Sequence, residues 1–233
     1  MKIVIFASCN QKKSTSHPNQ PTCKDLYNKE QKHRYLHVVT EHRVAKNMFR
    51  GALNISLNQA IRLLREFFDV KYYIISAGYG ILEENEEIAP YDCSFQMMSD
   101  EEIKTRAEML QIPDDYQKII DSEQPDFLYL PLNRYYLLTI ENWDKKLECK
   151  TIAYNQSSNP NVITLPEEHI LYMEGESMGG LPIYGGSSFK DDLLLLTTRY
   201  LRNSADPVAA LKDLLDNPDD LIYTMSTIRK NLQ

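Results

Sequence analysis

Four short apolar runs, each ending in polar, loop-forming residues, constrain this chain more than any other feature. They are residues 2–7 (KIVIFA), 72–75 (YYII), 126–130 (DFLYL) and 151–154 (TIAY). Short runs of β-branched and aromatic residues without polar alternation suit strands covered on both faces. Between them, apolar residues recur at three- and four-residue spacing, as Leu57, Ile61, Leu64 and Phe68 do within 56–68. Helices are also predicted over 41–49, over 99–110, over 114–122 after Pro113, and over 135–146. Ser99 followed by Glu102 is a capping-box signature that starts the second of these. Strands alternating with helices predict an α/β fold, a central mostly parallel sheet of about four or more strands flanked by helices. In such sheets ligands bind in the crevice at the carboxyl ends of the strands.

The last third reads differently. Residues 162–165 predict a short edge strand, and 174–188 hold five of the eight glycines. Helices are predicted over 189–202, 206–215 and 218–230. The expected organisation is an α/β core over 1–165 with a basic insertion at about 11–50. A Gly-rich loop and helical region over 166–233 then pack on that core. The four cysteines form no C-x-x-C pair, so neither a zinc site nor a disulfide framework is expected, and a reducing cytoplasm is the default. The chain enters a strand at once with no signal peptide, and no apolar run approaches the roughly 18 residues of a membrane span. No metal, cofactor or membrane contact is expected, and nothing in the sequence indicates an oligomeric state.

Net charge is −7, yet its distribution is uneven. Residues 11–50 carry nine Lys or Arg against three acids, together with His17, His33, His37 and His42. A basic stretch in an acidic chain points to a polyanionic partner; the competing reading is a solvated loop and helix face.

The residues that carry chemistry sit where the strands end. After 72–75 comes Ser76-Ala77-Gly78-Tyr79-Gly80, then an acidic stretch, then Pro90-Tyr91-Asp92. A carboxylate on a proline-fixed turn beside an aromatic ring can act as a general base or stabilise a cation-like transition state. The plainer alternative is a turn in which Asp92 caps amides and Tyr91 packs. Ser8, Cys9, Asn10, Lys12 and Lys13 follow the first strand. Cys9 is a nucleophile only if a base or a positive charge activates it, and Lys12 and Lys13 are close in sequence. Contact of either lysine with a phosphate is the stronger reading. Asn133 and Arg134 follow the third strand and Asn155 the fourth. Amide side chains match the donor–acceptor edge of a nucleobase. Ser187 and Ser188, just before a predicted helix, offer an N-cap or an anion site. The segment does not match the P-loop, and no G-x-G-x-x-G follows a strand, which argues against a dinucleotide cofactor.

Three segments together resemble a family of bacterial and phage domains with an SCSK first loop, an LSAKYGLL strand-turn and a PYD turn. Here they read ASCNQKK at 7–13, ISAGYGIL at 75–82 and IAPYD at 88–92. The likeness covers residues up to about 135, and Asn10 and Gly78 replace a usual serine and lysine. That family is similar to a domain of archaeosine synthase and resembles the uracil-DNA-glycosylase-like fold. A phage-defence DNA glycosylase is a further possible relative. The resemblance implies a nucleic-acid base-processing enzyme. The expected activity is a DNA glycosylase that flips out a modified base and cleaves its N-glycosidic bond, in a setting of antiviral defence. Asp92, Tyr91 and Asn10 are the expected catalytic residues, with Tyr91 stacking on the base. Ser8, Cys9, Ser76, Tyr79, Asn133, Arg134 and Asn155 are expected to bind substrate. Lys12, Lys13, Ser187 and Ser188 are expected to hold phosphates, with DNA favoured over RNA. A transferase or amide-forming enzyme on a modified tRNA base, and a nucleic-acid-binding module without turnover, remain the alternatives.

Overall fold

The computed structural model describes residues 1–165, 177–178, 181–182 and 189–231. Six strands form the central sheet: β1 (Lys2–Ser8), β3 (Asp69–Ser76), β4 (Gly80–Glu83), β6 (Phe127–Leu130), β7 (Lys150–Ala153) and β8 (Val162–Thr164). Their order is β4-β3-β1-β6-β7-β8. All neighbours run parallel except β4, which returns antiparallel along β3. This is the expected α/β architecture, with an antiparallel edge added. Gly80 starts that edge at φ 79°, a left-handed backbone open to glycine, and a Cβ there would lie 3.0 Å from the Leu110 carbonyl.

Adjacent side chains of β3 show why its run is apolar throughout. Tyr73 points to one face, where its hydroxyl donates to Glu123 of α5 (Ile112–Glu123). Tyr72 points to the other, beside Asn54 of α3 (Ala52–Leu64). Both faces are covered, so neither needs polar residues. Phe6 of β1 lies on the Tyr73 face, with its ring 5.2 Å from Tyr73 and 5.0 Å from Tyr116 of α5.

Several boundaries differ from expectation. α3 begins four residues early, after Gly51, and stops at Leu64, because residues 65–68 turn to bury Phe68. In place of a helix over 41–49 there is β2 (Arg43–Val44) and a single turn, α2 (Ala45–Met48). β2 pairs antiparallel with β5 (Glu87–Ile88), a partner that no local pattern could reveal. The helix expected over 135–146 is only α6 (Arg134–Leu137), and Asn142 at φ 59° interrupts any continuation.

The capping box at Ser99 is present and starts α4 (Asp100–Met109). α1 (Gln31–Val38) lies within the basic insertion. β9 (Ser177–Met178) and β10 (Leu181–Pro182) form a separate antiparallel pair. α7 (Phe189–Arg202), α8 (Pro207–Asp216) and α9 (Pro218–Asn231) pack together, and α7 lies along α3. Leu193 to Leu196 of α7 are buried, and Thr197 and Thr198 satisfy their hydroxyls on carbonyls four residues back.

The expectation of no disulfide is overturned: Cys23 and Cys93 are bonded across 70 residues. Spacing motifs report only on cysteines close in sequence. Here a parallel bridge between Thr22 and Asp92 brings the two segments side by side. No described helix is long and apolar enough to cross a membrane.

Candidate active site

β1 lies between β3, which follows it in the sheet on one side, and β6, which joins later on the other. The strand order therefore reverses beside β1, which makes the carboxyl ends of β1 and β6 the crevice position of an open α/β sheet. Cys9 stands there, 6 % exposed. Its backbone N–H donates to Ile75 O (2.9 Å), and Asn54 Nδ2 holds the preceding Ser8 carbonyl at 3.1 Å. Tyr136 of α6 reaches across from the β6 side. Its hydroxyl donates to Cys9 O at 2.8 Å and lies 3.1 Å from Cys9 Sγ.

A second hydroxyl approaches the thiol through a relay. Ser76 Oγ accepts backbone N–H groups from Gly78 (3.2 Å) and Tyr79 (3.1 Å) and lies 2.7 Å from Tyr91 OH. With both acceptor positions filled, the Ser76 proton goes to Tyr91, which leaves the Tyr91 proton for Cys9. Burial, and then the neighbouring thiol, hold the Tyr91 phenol well above its ordinary pKa. Tyr136 is raised for the same two reasons. Both phenols are thus kept as proton donors toward Cys9.

Tyr91 is 1 % exposed, edge-on to Tyr79 (4.9 Å) and to Phe49 (6.4 Å). Gly78 makes room for it, since a Cβ there would lie 2.8 Å from the ring. Tyr91 is therefore not a surface for a stacked base: its ring is a wall of the crevice, and this corrects the expectation of stacking.

Lys13 covers that ring, with Nζ 4.1 Å from the Tyr91 centroid and 5.9 Å from that of Phe49. Burial lowers its pKa, while the Cys9 and Asp92 charges pull it back up. The lysine, the thiol and the carboxylate therefore feel one another electrostatically. Asp92 itself is exposed. Its backbone is held by the Asp92 N–H bond to Pro21 O (2.8 Å), the bridge to Thr22 and the neighbouring disulfide. Arg106 of α4 ties the same loops from behind, donating to Ala77 O (2.6 Å), Cys23 O (3.0 Å) and Leu26 O (2.9 Å). Asn10 sits at the rim: its Oδ1 accepts from Lys12 N (2.8 Å) and its amide lies against Gly51.

Residues 39–157 match a family described as a family of unknown function (DUF6884), just over half of the chain. The chain belongs to this family. No curated protein matches the sequence. The span matched to DUF6884 contains Ser76, Tyr91, Asp92, Arg106 and Tyr136, and it begins after the loop that supplies Cys9, Asn10 and Lys13.

Of the other expected site residues of this DUF6884 member, Asn133, Arg134 and Asn155 make their hydrogen bonds with groups other than Cys9, Tyr91 and Lys13. Asn133 Oδ1 caps α6 by accepting from Tyr135 and Tyr136 N–H. Arg134 pairs with Asp100 at the surface, and Asn155 Nδ2 donates to Leu132 O. Arg134 and Asn155 line one pocket of about 250 Å³ together with Trp143. Ser187 and Ser188 lie outside the described residues. Among the described residues no three His, Cys, Asp or Glu side chains gather to hold a metal.

Three contributors were not singled out from sequence. Tyr136 and Asn54 carry no local signal, because their roles are contacts 127 and 46 residues away. Arg106 does leave a trace: an arginine in line with Ile103, Ala107 and Leu110 on the buried stripe of α4 needs buried acceptors.

Proposed function

We propose that this DUF6884 member is a nucleic-acid base-processing enzyme. Its reaction is hydrolysis of the N-glycosidic bond of a modified, flipped-out nucleotide, with DNA as the favoured substrate. The observation that carries the reading is the exposed Asp92 carboxylate, its backbone fixed by Pro21 and Thr22, within electrostatic reach of the half-buried Lys13 ammonium. Asp92 accepts a proton from the attacking water and stabilises the cation-like sugar as the base departs. Lys13 balances the charge next to it, and Lys12 faces the phosphates. Tyr91 shapes the crevice and donates toward Cys9 rather than touching the base. Antiviral defence remains the proposed setting, on the strength of the family resemblance alone.

Incubation with plain and hypermodified DNA should yield abasic sites, and Asp92→Ala should slow their formation roughly 10²–10⁴-fold. Wild-type protein that leaves every such substrate intact overturns hydrolysis.

A second reading is covalent transfer on a modified tRNA base with Cys9 as nucleophile. It is favoured by the two phenols and one ammonium gathered about the thiol. It predicts a tRNA nucleoside whose mass changes with wild-type protein and not with Cys9→Ser. Binding without turnover would leave both assays blank while salt-dependent association persists.

A further inference from the structure

Beside the crevice lies a second feature, a cleft of about 460 Å³ between α2, the start of α3 and residues 14 and 43. Arg43, Lys46 and Arg50 line it with Ser14, Phe49 and Gln59. Among the described residues no carboxylate lines it. Glu84, outside the lining, pairs with Lys46 at 3.2 Å. Among the described residues, Arg43 donates only to the neighbouring His42 carbonyl (2.7 Å), and the Arg50 side chain meets no acceptor. Two guanidinium groups therefore have no carboxylate partner among the described residues. Two polar atoms in the lining, Ser14 Oγ and Gln59 Oε1, are buried without any hydrogen-bond partner. Such atoms are uncommon in folded proteins and mark places where a bound water or ion completes the pairing.

The cleft is continuous with the crevice through the backbone. Arg50 N donates to Lys12 O (3.1 Å), Ser14 N donates to Met48 O (2.7 Å), and Lys13 bridges Phe49. The segment that carries Lys12 and Lys13 is thus laid against the segment that carries Arg50. Fork-shaped guanidiniums suit the paired oxygens of a phosphodiester better than a lysine ammonium does.

We infer that this cleft is a phosphodiester-binding site. It holds the backbone of a nucleic-acid strand at Arg43 and Arg50 while an adjoining nucleotide enters the crevice near Lys13 and Asp92. The inference deepens the proposed function and rests on it for the identity of the polymer; the chemistry recognised is the phosphodiester shared by DNA and RNA.

The test measures fluorescence anisotropy of labelled single-stranded DNA, and of an RNA of the same sequence, over a series of salt concentrations. Proteins compared are wild type, the double variant Arg43→Gln/Arg50→Gln, and a charge-matched control, Lys145→Gln/Lys146→Gln, altered at exposed positions before β7. Arg43 and Arg50 are exposed as well, so their loss leaves the core intact. The arginine variant should bind at least tenfold more weakly, with a slope of log affinity against log salt shallower by about 1.4. The control should keep the wild-type slope. Equal slopes for wild type and the arginine variant, an equal loss in the control, or no binding by wild type each overturn the site. Loss of slope without abasic product would leave the cleft standing and sink the glycosylase reading instead. The DNA and RNA arms show which polymer is preferred.

Discussion

Lys13 keeps its ammonium where water is scarce, over a tyrosine ring and near a thiol and a carboxylate. Burial disfavours its charged form, so its pKa in the fold is below the ordinary lysine value. Below that lowered pKa both folded and unfolded chains carry the charge, and the fold bears the desolvation cost. Above the ordinary value both are neutral and the cost disappears. The stability of wild type relative to Lys13→Met should therefore rise as pH climbs from about 7 to about 10. Thermal melts of both proteins at the two pH values check this; a difference independent of pH would mean the ammonium is solvated. A charge retained at such a position is better explained by the crevice than by folding. Gly78 shows the same at the scale of one atom, since a methyl there would push Tyr91 off its relay.

At the scale of elements, Glu84 joins the antiparallel edge to the helices behind it. It follows β4, and its carboxylate takes Lys46 of α2 at 3.2 Å and Arg65 at the end of α3. Its backbone oxygen also accepts from Lys46 N at 2.9 Å. Burial would raise its pKa, but Arg65 and then Lys46 more than offset that and set it below the ordinary carboxylate value. The resulting stability is present above the ordinary carboxylate range and is lost as pH falls through the lowered value. Glu84→Gln should cost on the order of 2 kcal/mol near neutral pH, because the half-buried Lys46 ammonium and the exposed Arg65 guanidinium lose the buried carboxylate they share. The cost should shrink toward about pH 3 in urea titrations. A variant as stable as wild type at neutral pH would show that the β4 edge is held by its strand pairing alone.

For the whole molecule, the Cys23–Cys93 bond and Arg106 decide whether the loop tips stay together. A crosslink closing a loop of this size contributes roughly 2–4 kcal/mol. A dithiol reductant should lower the melting temperature of wild type by ~5–10 °C and leave Cys93→Ser unchanged. If reductant moves neither protein, the two cysteines are not bonded in solution. Arg106→Lys tests the other clamp: a single ammonium cannot reach all three carbonyls, and stability should fall by about 1–3 kcal/mol by urea titration. The strands were legible in the chain because each is a short apolar run, and a run covered on both faces needs no partner to be recognised. The capping box at Ser99 was legible because both its residues lie within one helical turn. Asp92 could be singled out because proline and an aromatic ring stand beside it. What the sequence could not reveal were contacts between distant segments: β2 with β5, Cys23 with Cys93, Tyr136 with Cys9, and a buried wall in place of a stacking ring at Tyr91. Local pattern records which face a residue prefers, whereas those pairings depend on which segments the folded sheet brings edge to edge.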